Sequence, residues 1–277
     1  MKISDQDLET EFMRPDIFGS AAIVTDVDLK EVFDMRYGAP NGVGWGPTMR
    51  KRFNYFTPDE YYEAIVNKLV TENCVWLDVG CGRDVFPNNI NLARSLSDRC
   101  AHLVGVDPDE TIDENAFVHQ RHKTSIENFR SDRTFDLVTL RMVAEHFVDP
   151  EQVVKSLSQL TKPGGKVVLY TINRWSAVSI ITWLTPFKLH HPIKSWLWGS
   201  EEKDTFPVTY RMNTRGALVR LFQRSGFREK YFTYLDDCRS LSRFRATQFC
   251  ELCSWRVLRT LGCRYPENCL LGIYERL

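Results

Sequence analysis

The sequence predicts an α/β fold: a doubly wound, mostly parallel seven-stranded sheet with helices on both faces and an antiparallel last strand. Three observations carry that expectation. Apolar runs of strand length alternate with helical periodicity from residue 57 to residue 172; the first strand ends in Asp78-Val79-Gly80-Cys81-Gly82; and the next ends in Asp107, twenty-five residues past Gly82. Strands that alternate with helices lie parallel, because each crossover carries the chain back over a face of the sheet.

The elements follow in order. Residues 1–56 read as an irregular N-terminal cover, in which YGAPNGVGWGP at 37–47 holds enough Gly and Pro for a loop and Trp45 can pack on a ligand or on the body. Thr57-Pro58-Asp59-Glu60 is a helix start, with a capping residue, a proline suited to the first turn and a glutamate placed to close a capping box. That helix is expected to reach about Val70. A strand at 75–79, a helix near 88–98, a strand at 102–106, a short strand near 116–119 and a strong one at 135–140 come next. Asp149-Pro150 opens another helix, which Lys162-Pro163-Gly164-Gly165 ends before the strand KVVLYT. Residues 57–173 thus form the nucleoside-binding half. Residues 174–212, rich in Trp, Pro and His, read as an apolar cap insertion. Residues 213–277 complete the sheet with a helix at 214–225, a strand near 228–235, a helical segment near 240–261 and a strand near 269–275. All of this fits one domain with decorations.

Composition narrows the function classes. The chain has 277 residues with 43% apolar content, enough for a substantial core. Thirty-six basic and thirty-six acidic side chains cancel, so the overall positive field that draws proteins to phosphate backbones is missing and no nucleic-acid partner is expected. MKISDQDLETEF has acidic residues where a secretory signal is apolar, and no later run approaches the ~20 apolar residues of a membrane span. The expected location is cytoplasmic. Eight cysteines in such a chain are expected to be reduced. Cys250 and Cys253, with Cys263 and Cys269 downstream, do not match a usual zinc spacing and are expected to share one buried helix face, so no metal is assigned.

The strand-end residues carry the chemistry. Gly80 and Gly82 let the chain turn tightly and approach a ligand, and Asp107 can accept both hydroxyls of a ribose. A nicotinamide fingerprint needs a third glycine to clear space for pyrophosphate, and that position holds Val85. Asp78 would repel a phosphate but can orient the cationic amine of a methionine moiety. Together these residues point to S-adenosyl-L-methionine.

Residues 60–172 resemble the class I S-adenosylmethionine-dependent methyltransferases, in particular the small-molecule branch that includes ubiquinone-biosynthesis enzymes. WLDVGCG at 76–82 looks like that family's first motif and VGVD at 104–107 its second; SIENF at 125–129 looks like its adenine-holding segment; FDLVTLRMVAEHFVDP at 135–150 and LTKPGGKVVLYT are similar to its fourth- and fifth-strand motifs. The resemblance implies a Rossmann-like sheet and a cofactor set of Asp78, Gly80, Cys81, Gly82, Asp107, Pro108, Ser125, Ile126, Leu140 and Arg141. Two positions depart from the pattern. Asp84 stands where a glycine or small residue is common, and Ser125 where aspartate is, which leaves a weaker hydrogen bond to adenine.

Methyl transfer is an in-line displacement in which alignment supplies most of the catalysis. His146 can act as a general base, or with Glu145 can brace the cofactor loop; Arg141 can line the methionine pocket or pair with an acid. Trp175, Trp183, His190, His191 and Tyr210 are the candidates for the acceptor site, with Phe187, Trp196, Trp198 and Asp204 beside them in sequence. The expected reaction is methyl transfer to a small apolar or aromatic organic acceptor, at oxygen first, with carbon and nitrogen open. The run WSAVSIITWLTPF is too short to span a bilayer but can rest on one if the acceptor is lipid-like. No Asp/Asn-Pro-Pro-aromatic motif is present, which disfavours base amines as acceptors. A nicotinamide-dependent oxidoreductase and a catalytically silent S-adenosylmethionine-binding module stay open as rivals, as does the oligomeric state.

Overall fold

The structure is a computed structural model and describes residues 23–38, 43–176, 208–239 and 241–277. Two helices come first, α1 (Asp26–Tyr37) and α2 (Trp45–Arg52), followed by α3 (Pro58–Leu69). The described part of the N-terminal region is therefore helical where an irregular cover was expected. Thr25 explains α1: its side chain accepts from Asp28 N–H and its N–H is taken by the Asp28 carboxylate, a capping box in which aspartate stands in for the usual glutamate. Trp45 is the first residue of α2 rather than part of a loop.

The alternating half runs β1 (Val75–Val79), α4 (Ile90–Arg99), β2 (His102–Val106), β3 (Gln120–His122), β4 (Phe135–Arg141), α5 (Pro150–Leu160) and β5 (Thr161–Ile172). The chain ends with α6 (Arg215–Arg224), β6 (Phe227–Asp236), α7 (Arg245–Thr260) and β7 (Glu267–Arg276). One seven-stranded sheet has the order β3-β2-β1-β4-β5-β7-β6, parallel from β3 to β5, with β7 antiparallel to both β5 and β6.

Local chemistry accounts for the boundaries. Glu60 accepts from Thr57 N–H at 2.7 Å and opens α3, while Asp149 accepts from Gln152 N–H at 3.1 Å and opens α5 behind Pro150. The third strand lies later than expected. Asn115 forms a turn with its Oδ1 accepting from Phe117 N–H, which keeps the apolar 116–118 stretch out of the ladder and lets Val118 pack against Gly105. Strand β5 begins at Thr161, earlier than expected, and the Lys162–Gly165 segment forms an irregularity opposite Phe135 and Leu137.

Alternation along the strands divides the core in two. Trp76, Leu103, Leu137, Val168 and Tyr170 pack under α1, α3 and α4; Leu77, Val104, Val138, Leu140 and Leu169 pack under α5 and α6. A smaller cluster of Tyr55, Cys238, Leu252 and Trp255 seats α7. Burial of each such side chain contributes roughly 1.5–3 kcal/mol, so the two layers fix the strand register. On α7 Leu252 and Trp255 are buried, while Phe249 is exposed and Leu258 half-buried. Cys250 is exposed and Cys253 half-exposed, so they do not share a buried face. Gln248 and Glu251 point inward instead, Glu251 accepting from Leu241 N–H and from the Tyr265 hydroxyl.

Buried charge welds the N-terminal helices to the sheet. Arg50 forks onto Glu60 at 2.8 and 2.9 Å, and Asn89, the cap of α4, donates to Glu63 at 2.8 Å and to the Val32 carbonyl at 3.2 Å. The segment after β1 is thereby tied to α1 and α3. No helix of the described residues is long and apolar enough to cross a membrane.

Candidate active site

The strand order reverses between β1 and β4, the switch point at which open α/β sheets bind ligands beyond the carboxyl ends of their strands. Gly80 follows β1 there with φ of 71°, its N–H donating to the Val106 carbonyl at 2.7 Å. A Cβ on it would come within 2.1 Å of Val143 Cγ1, so the loops after β1 and β4 touch at this residue and only glycine fits both the space and the backbone. Gly82, also left-handed, donates its N–H to Asp107 Oδ2 at 2.9 Å. Asn115 Nδ2 donates to the Gly82 carbonyl at 3.0 Å from the other side.

Asp107 is nearly buried, and its Oδ1 accepts from Asp109 N–H at 2.8 Å. Both oxygens thus hold loop amides. An ionised carboxylate has about four acceptor directions, so capacity for hydroxyl donors is left. Asp78 is buried beneath the same loops and its Oδ1 accepts from the Thr139 hydroxyl at 2.6 Å. Burial pushes its carboxyl up to about 7, against the favourable Thr139 hydrogen bond and the Arg141 charge.

The remaining predicted residues divide. Cys81 turns its thiol into the core against Gly105, where burial and the Asp78 and Asp107 charges push it above its ordinary range; its backbone is the part left for a ligand. Leu140 and Ile126 are buried in the α5-side core, and Ser125 opens the turn that Phe129 N–H closes at 3.0 Å. Pro108 is exposed. Arg141 pairs with Asp59 at 3.1 Å, and Arg239 takes the other Asp59 oxygen at 2.6 Å. Burial opposes ionisation of Asp59, but the two guanidiniums hold its carboxyl well below the usual range. Asp59 and Arg239 were not foreseen from the sequence, and neither were Thr139, Asn115 and Tyr62.

The loop after β4 is strained. Met142 has φ of 53° with its N–H donating to the Tyr170 carbonyl at 2.8 Å, a left-handed conformation that a long side chain rarely adopts. Glu145 follows in a 3-10 turn, buried, its carboxylate accepting from Thr171 at 2.6 Å and its carbonyl from Thr209 N–H at 2.7 Å and Tyr210 N–H at 3.3 Å. His146 beside it is half-exposed and donates its N–H to the Val143 carbonyl at 3.0 Å. Tyr210 is thereby brought to the His146 turn. Trp175 is 68% exposed under the Arg174 guanidinium, 5.7 Å away. Trp183, His190 and His191 lie outside the described residues, as do Phe187, Trp196, Trp198 and Asp204.

Comparison with known proteins bears on the family and the fold. The family described as a methyltransferase domain matches residues 50–229. The chain belongs to the methyltransferase-domain family. Ubiquinone biosynthesis O-methyltransferases are among the proteins similar to this methyltransferase chain. That of Saccharophagus degradans is 33% identical over 133 residues, 44% of this chain and 50% of that one; that of Aromatoleum aromaticum is 34% identical over 108 residues, 35% and 44% respectively. The chain spans about half the length of the curated relatives it matches. A putative S-adenosylmethionine-dependent methyltransferase from Listeria monocytogenes shares the fold, with a TM-score of 0.50 at 14% identity over 78% of this chain and 97% of that one. The mostly parallel seven-stranded sheet with its antiparallel last strand is thus the Rossmann-like sheet of such methyltransferases.

Proposed function

We propose that this methyltransferase-family protein transfers the methyl group of S-adenosyl-L-methionine to a small organic acceptor, at oxygen. The observation that carries the reading is the pairing of two buried acids around one glycine loop. Asp107 holds the Gly82 amide and has acceptor directions left for ribose hydroxyls, while Asp78 offers a desolvated carboxyl for a cationic amine. Val85 in the third fingerprint position and the acid at Asp78 both oppose a pyrophosphate, which argues against a nicotinamide cofactor. S-adenosylmethionine supplies a methyl group on a sulfonium, open to in-line displacement.

The chain's own residues then bind, orient and shield. Gly80 and Gly82 let the backbone come close, the family resemblance assigns Ser125 and Ile126 to adenine, and Arg141 neutralises Asp59 beside the Asp78 carboxyl. Glu145 is the brace: it ties the loop after β4 to Thr171 and to the backbone at 209–210. His146, half-exposed on that braced turn, is the group that takes a proton from an acceptor hydroxyl. The preference for oxygen is supported by the O-methyltransferase names of the relatives.

Calorimetry tests the reading with three ligands: S-adenosylmethionine and S-adenosylhomocysteine are expected to bind and NADH is not. Asp107→Asn is expected to weaken S-adenosylhomocysteine by about 1–3 kcal/mol through lost hydroxyl contacts. Binding of NADH in preference to the first two would overturn the assignment.

A further inference from the structure

Trp76 and Asp78 are two residues apart on β1 and share one face of the sheet, and Thr139 on β4 stands beside Asp78 in the strand register. Three side chains therefore meet in a buried row. Trp76 Nε1 donates to Thr139 Oγ1 at 2.7 Å, and Thr139 donates to Asp78 Oδ1 at 2.6 Å. An indole N–H can only donate, so the Thr139 oxygen must act as acceptor toward Trp76. Its single proton is left for Asp78, with the Leu77 carbonyl a poorer acceptor at 3.4 Å. The row has one polarity. It pins Oδ1 and leaves Oδ2, which takes no hydrogen bond among the described residues.

We propose that Trp76 and Thr139 are positioning residues for the methyl donor: their hydrogen-bond row fixes the rotation of the Asp78 carboxyl so that Oδ2 receives the donor's ammonium group. This rests on the cofactor reading above and goes beyond it, because neither side chain is itself a contact to the ligand. Torsion about the carboxyl bond of an aspartate is broad, so an Asp78 without the Thr139 donor is free to turn. The row also bears on charge. The groups that face Asp78 are Thr139 and Arg141 from β4, Tyr62 from α3, Cys81 in its own loop and Asp107 beyond β2. Thr139 and Arg141 favour the ionised form, Asp107 opposes it, and the buried Tyr62 hydroxyl, which faces Thr139, has no hydrogen-bond partner of good geometry among the described residues. Loss of the Thr139 proton donor therefore makes Asp78 harder to ionise and moves the onset of cation binding to higher pH.

The test uses the full chain, calorimetry from pH 6 to pH 8, and two ligands. S-adenosylhomocysteine carries the amine; 5′-methylthioadenosine has the adenosine without the amino-acid part. Thr139→Val keeps the side-chain volume and is expected to weaken S-adenosylhomocysteine about tenfold, leave 5′-methylthioadenosine within about twofold, and raise the pH at which S-adenosylhomocysteine binding reaches half its plateau. Thr139→Ser is expected to restore all three readouts. Trp76→Phe, which frees the threonine proton to turn away, is expected to give a smaller loss confined to S-adenosylhomocysteine. Equal losses for both ligands in Thr139→Val, or an unchanged S-adenosylhomocysteine affinity and pH midpoint, would overturn the positioning role. If 5′-methylthioadenosine binds too weakly to titrate, the pH midpoint alone decides. A wild-type chain that binds neither ligand refutes the cofactor reading first, and the positioning role falls with it.

Discussion

Asp78→Asn is expected to make the ligand-free protein more stable at pH 8 while removing its hold on a cationic ligand. The carboxyl is 3% exposed and burial pushes it up to about 7 from an ordinary 3.8. An acid with a raised folded value ionises more readily in the unfolded chain. Its contribution therefore favours the folded state least at high pH: stability falls as pH rises from about 4 to about 7 and is level above. At about 1.4 kcal/mol per unit, Asp78 alone removes about 3 kcal/mol between pH 5 and pH 8. Asparagine keeps an acceptor for the Thr139 hydroxyl and does not titrate, so the variant lacks this slope. Urea unfolding of both proteins at the two pH values isolates the effect, because the other buried acids, Glu63 pushed up to about 7 among them, are common to both. The stability difference between variant and wild type should grow by about 3 kcal/mol from pH 5 to pH 8. A difference that is independent of pH, or that shrinks, would refute the argument that Asp78 is held in a desolvated state. The same exchange should abolish measurable S-adenosylhomocysteine binding, which would make Asp78 a residue kept for function at a cost in stability.

Two further substitutions probe the loops around the switch point. Gly80→Ala forces a methyl group against Val143 Cγ1, 2.1 Å from the ideal position, at a left-handed φ, and is expected to lower stability by roughly 1–3 kcal/mol. The double variant with Val143→Ala should recover part of that loss in thermal unfolding, and strict additivity would show that backbone strain alone is responsible. His146→Gln should lower kcat by about 10²–10⁴-fold with a hydroxyl acceptor while leaving S-adenosylhomocysteine affinity unchanged; an unaltered kcat would leave the residue no role in proton transfer.

The parallel half of the sheet was legible because its signals are local. Thr57-Pro58, Asp149-Pro150 and the apolar runs each act within a few residues, and the structure places α3, α5, β1, β2 and β4 where they fall. Long-range pairing was not legible in the same way. Asp59 read only as part of a helix start, yet Arg141 is 82 residues away from it and Arg239 is 180. Nothing in the spacing of a charge names its partner. Asp78 and Asp107 make the same point for chemistry. Both are acids at strand ends, and only packing separates them, since the row from Trp76 through Thr139 presents a hydroxyl to one while backbone amides of Gly82 and Asp109 take the oxygens of the other.

Helix α7 shows why periodicity alone can choose the wrong side. Cys250 and Cys253 do lie near one another on the helix, as spacing of three requires, but the inward face is the one carrying Gln248, Glu251, Leu252 and Trp255. Two polar residues occupy that face, and the fold supplies one of them with hydrogen-bond donors from outside the helix. Glu251 receives the Leu241 amide at 3.1 Å and the Tyr265 hydroxyl at 3.0 Å, partners supplied from either end of the helix. Trp255 adds a donor to Asp236 at 2.7 Å on β6 and an edge-on contact with Tyr55. A buried carboxylate with two donors costs far less than an unpaired one, so those partners, rather than the apolarity of the thiols, decide which stripe turns inward. The binary pattern weighs each residue by its own transfer energy. It therefore fails wherever hydrogen bonds from outside the element carry the larger share, and in this chain that holds for α7 as it does for Asp78.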